Sequence, residues 1–249
     1  MKQFFIEDDG IKLNAKLDMP VNGADKCPLC LVFHGFTGHM EEDHIVAVAK
    51  AMNEVGVATL RVDLYGHGNS DGEFKNHNLY KWLNNILTVT DYAKKLDFVT
   101  DMYICGHSQG GLAVTLAAAM ERDAIKALMP LSPAYVIIDG AKTGELLGQS
   151  FDPEHIPDEL LSWDGRTLNG NYIRVAQSID LDTAMKKFSG PVLIVHGDAD
   201  DTVPVEFAID ASKKFANCKL ELIKDDDHCY GKHMDKMVEA VQNFVKGLQ

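Results

Sequence analysis

The chain has 249 residues, of which 46% are hydrophobic and 24% are charged, proportions typical of a globular protein. Lysine and arginine number 24 against 37 aspartates and glutamates, so the formal net charge is −13. A surface this acidic repels phosphate backbones and anionic lipids, which argues against nucleic-acid or membrane-surface binding. We therefore expect small or neutral partners; the oligomeric state stays open, a homodimer included.

The beginning of the chain and its cysteines predict a cytoplasmic setting. The first ten residues contain no apolar stretch followed by a cleavage site, and no apolar run reaches the ~20 residues that cross a bilayer. Cys27 and Cys30 have a spacing found in zinc and redox sites, but no second ligand pair follows, and Cys30 opens an apolar run. We interpret both as buried thiols and predict no metal and no cofactor.

Short apolar runs alternate with amphipathic stretches along the chain. Alternating apolar residues on both sides of Asp9-Gly10 predict an N-terminal hairpin. After it, continuous Val/Ile/Leu runs separated by helical segments indicate an α/β fold with a mostly parallel sheet covered on both faces. The predicted strands are 29–33, 57–62, 102–105, 127–131, 192–195 and 220–223, and the predicted helices are 43–55, 79–97, 109–122, 205–216 and 231–247.

One stretch, from about 134 to 180, breaks this alternation. Glycine and proline recur in it together with aromatic residues. A span of this length between two core strands is rarely a bare loop. We predict a single domain over 1–249 in which this segment forms a cap above the end of the sheet that carries the site.

The pattern Gly106-His107-Ser108-Gln109-Gly110 lies between a strand that ends at Cys105 and a segment of good helix formers. A G-x-S-x-G pattern in a sharp strand-to-helix turn presents its serine as a nucleophile. The alternative is a glycine-rich helix start capped by a serine. We predict that Ser108 is the nucleophile.

A serine hydroxyl needs a neighbouring base to take its proton. Of ten histidines, His228 lies between the last predicted strand and the last predicted helix, at the carboxyl edge of the sheet. Asp200 follows the strand 192–195 in the same way. We predict His228 as the general base and Asp200 as the carboxylate that orients it, with Asp198 and Asp201 as neighbouring alternatives.

Four segments together resemble the α/β-hydrolases and, among them, bacterial cinnamoyl (feruloyl) esterases. They are HGFTG at 34–38, DLYGHGNS at 63–70, GHSQG at 106–110 and HGDADDTVP at 196–204. The resemblance spans the chain and implies the α/β-hydrolase fold, the order Ser…Asp…His and an acid at Asp200. It also implies an oxyanion hole made by the backbone amides of Phe36 and Gln109, although His34-Gly35 could be only a turn. One departure is the acidic run 225–227 before His228, where relatives commonly have glycine.

The resemblance further implies a carboxylesterase that hydrolyses hydroxycinnamate esters through an acyl-enzyme intermediate. Trp163 and Tyr172 could stack on the aromatic acid, and Asp139 could accept a hydrogen bond from its phenolic hydroxyl, but each could equally be cap core or surface. The alternatives are a monoacylglycerol-type lipase, against which the acidic cap argues, and a general short-chain carboxylesterase. A third hypothesis is a non-catalytic ligand receptor with the α/β-hydrolase fold, although such receptors usually lack part of the triad.

Overall fold

Residues 2–249 are described by a computed structural model and form strands and helices in alternation. The strands are β1 Lys2–Asp8, β2 Ile11–Asp18, β3 Cys27–Phe33, β4 Ala58–Val62, β5 Val99–His107, β6 Ile125–Leu131, β7 Glu145–Leu146, β8 Gln149–Ser150, β9 Glu159–Leu161, β10 Thr167–Asn169, β11 Val192–Gly197 and β12 Cys218–Ile223. The helices are α1 Asp43–Glu54, α2 Leu79–Ala93, α3 Gln109–Met120, α4 Val136–Thr143, α5 Asn171–Gln177, α6 Leu181–Lys187, α7 Glu206–Ser212 and α8 Met234–Lys246.

Eight of the strands form one sheet in the order β1-β2-β4-β3-β5-β6-β11-β12. The first two join in the predicted hairpin, whose turn residues Asp9 and Gly10 have φ 48° and 82° as a tight two-residue turn requires. β2 also pairs antiparallel with β4, whereas all later neighbours are parallel. The predicted mostly parallel sheet is confirmed.

Both faces of the sheet are covered, because successive residues of a strand point to opposite sides. In β3, Leu31 and Phe33 join an apolar core that includes residues of α2 and α3. Cys30 and Val32 join a second core, against α1 and α8. Burial on both sides explains why the central strands read as continuous apolar runs.

All five predicted helices extend beyond the observed ones, three of them by three or more residues at one end. α2 and α7 end early because the following amides turn back to carbonyls three residues earlier, such as Leu96 to Ala93 and Lys214 to Ala211. α8 begins only at Met234, since residues before it belong to a turn held by side chains of the acidic run. Among residues 2–249 no helix has the length and apolarity that crossing a membrane requires.

The segment between β6 and β11 contains regular structure that its sequence pattern did not reveal. It has helices α4, α5 and α6 and two short antiparallel hairpins, β7–β8 and β9–β10. Leu168 and Ile173 of this segment are buried in the same apolar core as α3. Its description as a cap stays a prediction.

Candidate active site

Ser108 lies in the turn that joins β5 to α3. Its backbone has φ 55° and ψ −121°, a strained combination for a residue with a side chain. Neighbouring glycines make the turn possible, since a Cβ at Gly106 would lie 2.5 Å from the carbonyl oxygen of Gly110, and one at Gly110 would collide with the carbonyl oxygen of His34. The fold therefore holds this serine at the start of a buried helix and in the wall of a cleft.

Asp200 and His228 come together from two different loops. They follow β11 and β12, whose parallel pairing places the carboxyl ends of both strands side by side. Nδ1 of His228 lies 2.7 Å from Oδ2 of Asp200. An ionised carboxylate only accepts hydrogen bonds, so this ring nitrogen is the donor. Nε2 is then the nitrogen left to take a proton, and His228 lines the same cleft as Ser108.

The Asp200 carboxylate is fully withdrawn from solvent and has contacts at both oxygens. Nε2 of His196 lies 3.0 Å from Oδ2, while the amides of Thr202 and Val203 donate to Oδ1 over 2.9 and 2.8 Å. Burial alone would raise the pKa of Asp200, but the hydrogen bonds from His196 and His228 outweigh it and hold the pKa below its usual range. The carboxylate is therefore ionised at neutral pH.

His196 is a site residue that the sequence analysis missed. It is the first residue of the HGDADDTVP segment and is completely buried at the end of β11. Its position four residues before Asp200 was the available signal. The alternative acids have other partners: Asp198 and Asp201 are both exposed, Asp201 at the cleft, and their recorded side-chain partners are the amide of Asp225 and the hydroxyl of Thr202.

The acidic run before His228 shapes the turn that carries this histidine. Asp226 is buried and accepts hydrogen bonds from the amides of Asp227 and Lys232, both over 3.0 Å. Oδ1 of Asp227 accepts from the amides of Cys229 and Gly231 over 3.1 and 2.9 Å. These two carboxylates thus satisfy backbone donors on both sides of His228, which gives the departure from glycine a structural reason.

The two predicted oxyanion donors come from two turns at the same end of the sheet as Ser108. Phe36 follows β3 and lines the cleft, and Gln109 is the first residue of α3, where the backbone N–H has no partner within the helix. Within residues 2–249 neither amide has a recorded hydrogen-bond acceptor. The positive end of the helix dipole adds to the potential at this point.

The turn that carries Phe36 is fixed by a buried histidine. Nδ1 of His34 contacts the carbonyl oxygen of Gly35 over 2.8 Å, and its Nε2 accepts from the amide of Leu64 over 2.9 Å. Burial holds the pKa of His34 well below 6.5, so the ring is neutral and serves as donor and acceptor together.

Two further buried histidines adjoin the site and were not assigned a role from the sequence. His107 precedes the nucleophile, and its Nε2 lies 2.9 Å from the carbonyl oxygen of His228. The ring of His44 lies 4.1 Å from that of His107, centroid to centroid. Burial lowers the pKa of His44 to about 4 and holds that of His107 well below 6.5, so both rings are neutral at pH 7.

A cleft of about 570 Å³ contains Ser108 and His228. Residues of α4, β7 and the turn after it give the cleft a largely apolar wall, in contrast to the acidic composition of the segment that supplies it: Val136, Ile137, Leu146 and Leu147, with Glu145 as its acidic member. A second cavity of similar volume lies at the amino ends of β5 and β6, at the other edge of the sheet from Ser108.

The three predicted substrate contacts occupy different positions. Trp163, in the β9–β10 turn, lines the cleft and is 63% exposed. Tyr172 is buried, and its hydroxyl donates to Oε1 of Gln109 over 2.6 Å. Asp139 lies on the exposed side of α4. Neither Tyr172 nor Asp139 lines the cleft, and the roles predicted for all three stay predictions.

Comparison with known proteins agrees with this architecture. A solved structure of Est1E from Butyrivibrio proteoclasticus, with ferulic acid bound, is 62% identical, covers 98% of this chain and of its own, and superposes with a TM-score of 0.97. Alpha/beta hydrolase domain-containing protein 10 from mouse, 18% identical with a TM-score of 0.80 over the whole of both chains, shares the fold. Human Protein ABHD12B is 28% identical over 189 residues, which are 74% of this chain and 48% of that protein.

This chain therefore spans about half the length of ABHD12B and nearly the full length of Est1E. A family model described as serine aminopeptidase, S33 (Hydrolase_4), matches residues 24–151, which include Ser108 and both predicted oxyanion donors. The chain belongs to this family, and the α/β-hydrolase fold predicted from its sequence is confirmed.

Proposed function

We propose that this protein is a cytoplasmic serine esterase that hydrolyses esters of hydroxycinnamic, ferulic-type acids. The observation that carries the proposal is the likeness to Est1E with ferulic acid bound, which is close over the full length of both chains. The cleft next to Ser108 supports it, because an apolar wall and an exposed tryptophan suit a planar aromatic acid. The five free cysteines, three of them buried, support a reducing compartment.

In the proposed reaction Ser108 attacks the ester carbonyl while Nε2 of His228 takes its proton. Asp200 holds the ring through Nδ1 and stabilises the imidazolium that forms. The amides of Phe36 and Gln109 receive the negative charge on the carbonyl oxygen. His228 then returns the proton to the departing alcohol. Water next attacks the acyl carbon while His228 takes its proton, and the acid leaves as that proton passes to Oγ of Ser108.

The apolar wall favours one alternative, an esterase for alkyl acyl groups such as those of monoglycerides. Leu146 and Leu147 would contact an acyl chain as readily as an aromatic ring. The proposed cap, 134–180, decides between hydroxycinnamate and alkyl acyl groups, because it provides the apolar wall and Trp163.

The test uses methyl ferulate, an aryl acetate, a monoglyceride and an amino acid p-nitroanilide, each with wild type, Ser108→Ala and, as a matched control, Ser150→Ala in exposed β8. We expect the highest kcat/KM for methyl ferulate, a loss of about 10⁴-fold or more in Ser108→Ala, and no change in Ser150→Ala. If a fluorophosphonate labels wild type but not Ser108→Ala, the hypothesis of a non-catalytic ligand receptor is excluded. A higher kcat/KM for the monoglyceride would contradict the proposed substrate class, and an active Ser108→Ala would contradict the assignment of Ser108 as nucleophile.

A further inference from the structure

Three residues that are distant in sequence bring possible metal ligands together beside the proposed catalytic groups. His44, His107 and Cys229 each offer one ligand atom, and these atoms all lie within 4.8 Å of one another. Among residues 2–249 they form the one such group of histidines, cysteines and carboxylates. Their separation along the chain explains why no ligand spacing could be recognised in the sequence.

His44 has a polar atom that nothing in the described chain satisfies. The residue is 4% exposed, and its Nε2 has no hydrogen-bond partner among residues 2–249. The nearest carboxylate oxygen, on Glu42, is 3.9 Å away, beyond hydrogen-bond distance. A buried unpaired nitrogen is costly to the fold, and a neutral imidazole nitrogen of this kind is a good metal donor.

The other two ligands connect this group to the triad and to solvent. Cys229 is exposed and lines the cleft directly after His228, so an ion can reach it from outside. The ring of His107 is bonded through Nε2 to the carbonyl oxygen of His228. Ligating histidines are commonly oriented by a bond of this kind from their second nitrogen.

We propose that His44, His107 and Cys229 bind Zn²⁺ and that the bound ion inhibits the esterase. Two imidazoles and one thiolate, with water in the fourth position, are a donor set that Zn²⁺ accepts. The thiol proton of Cys229 leaves to solvent as the sulfur–zinc bond forms.

Inhibition follows from the geometry that coordination demands. Tetrahedral ligand atoms around zinc are about 3.3–3.8 Å apart, so a bound ion holds these three atoms, which now lie within 4.8 Å of one another, at separations that it dictates. Cys229 and His107 are covalent neighbours of His228 and Ser108, and a movement of about 1 Å in such groups can cost about 10²-fold in rate. The inhibitory half of the proposal rests on the proposed esterase function, whereas binding of the ion does not.

Binding is measured apart from catalysis, with Co²⁺ as a spectroscopic substitute for Zn²⁺ in the inactive Ser108→Ala protein. We expect one equivalent of Co²⁺ to give a sulfur-to-cobalt charge-transfer band in the near ultraviolet and Zn²⁺ to displace it. Cys229→Ser should abolish the band, and His44→Asn should weaken affinity at least tenfold. Cys218→Ser, a matched change of a free cysteine in β12, should leave band and affinity unchanged.

Inhibition is measured with the active protein, each variant relative to its own rate in chelator. We expect saturating Zn²⁺ to lower kcat/KM at least tenfold in wild type and in Cys218→Ser, and less than twofold in Cys229→Ser. A missing band, a band that survives Cys229→Ser, or full activity at saturating Zn²⁺ would each overturn the proposal. A protein that shows the band but hydrolyses no ester would instead overturn the proposed function and leave the metal site standing.

Discussion

Changing Asp200 to asparagine keeps the shape of the side chain and alters only what its atoms can do in hydrogen bonds. Oδ2 of the carboxylate now accepts from His228 and lies 3.0 Å from Nε2 of His196, which is also 3.0 Å from the carbonyl oxygen of Val203; Oδ1 accepts from the amides of Thr202 and Val203. An asparagine has one accepting oxygen and one NH₂ group that only donates. In either orientation of the amide, the NH₂ group of the asparagine faces N–H donors that the aspartate oxygen had accepted from.

The loss in rate follows from the histidine tautomer. If the NH₂ group faces His228, Nδ1 must become the acceptor and Nε2 carries the hydrogen, so His228 cannot take the proton of Ser108. The corresponding change in a serine protease triad lowers kcat by about 10⁴, or about 5.5 kcal/mol. If the NH₂ group faces the amides of Thr202 and Val203, the loop that carries residue 200 is displaced instead. We expect a loss of about 10³–10⁴ in kcat with KM changed only a few-fold.

The assay is steady-state hydrolysis of methyl ferulate, with Asp198→Asn and Asp201→Asn as matched controls. Both control side chains are exposed and make no recorded contact with His228, so we expect their kcat to stay within about threefold of wild type. Circular dichroism and denaturant unfolding must show that Asp200→Asn is folded. A folded Asp200→Asn within tenfold of wild type, or a larger loss in either control, would refute the triad as assigned.

Two further predictions concern the cleft and the buried histidines. Trp163→Ala should raise KM about two- to tenfold for aryl esters and less for alkyl acetates, because an aromatic contact is worth about 0.5–1.5 kcal/mol. The control is Leu161→Ala, since Leu161 is exposed in the same hairpin but does not line the cleft. Equal effects of Trp163→Ala on both ester types would make Trp163 a packing residue. Burial lowers the pKa of His77 to about 3, so as pH falls the unfolded state takes up a proton on this ring before the folded state does. The free energy of unfolding should therefore fall as pH drops from about 6.5 towards 3, by up to about 1.4 kcal/mol per pH unit. Urea unfolding between pH 7 and 4 should show that the free energy of unfolding declines less steeply in His77→Phe than in wild type. In His155→Gln, which changes an exposed histidine, the decline should match wild type. Parallel curves for wild type and His77→Phe would contradict the role assigned to His77.

The sequence was informative wherever the sheet dictates the structure. A strand buried on both faces needs a continuous apolar run, so the central strands could be located, and the glycines of 106–110 point to a turn that excludes side chains. The loops at the strand ends then bring Asp200 and His228 together, although 28 positions separate them in the chain.

What the sequence could not predict depends on contacts between distant segments. The hairpin β7–β8 has strands of two residues each, too short for any periodicity, yet Leu146 and Leu147 line the cleft. Tyr172 lies on a short helix whose orientation is set by packing, and its hydroxyl reaches Gln109 rather than the cleft. The acidic composition of 134–180 describes its outer surface and says little about the wall it turns inward.

The groups proposed to perform the chemistry and those proposed to contact the substrate are held by different parts of the chain. Ser108, Asp200 and His228 stand at the ends of three strands of one sheet, where ladders of backbone hydrogen bonds fix their positions whatever the side chains around the cleft. The apolar wall comes from a segment that is continuous in sequence, lies between β6 and β11, and contributes no strand to that sheet. Substitutions there can change the shape of the cleft without moving the strand ends, because no hydrogen bond of the main sheet passes through it. On the proposed function, choice of ester depends on contacts separate from those that set the rate of acyl transfer, so a likeness in the triad alone says less about substrate than a likeness that extends through residues 134–180.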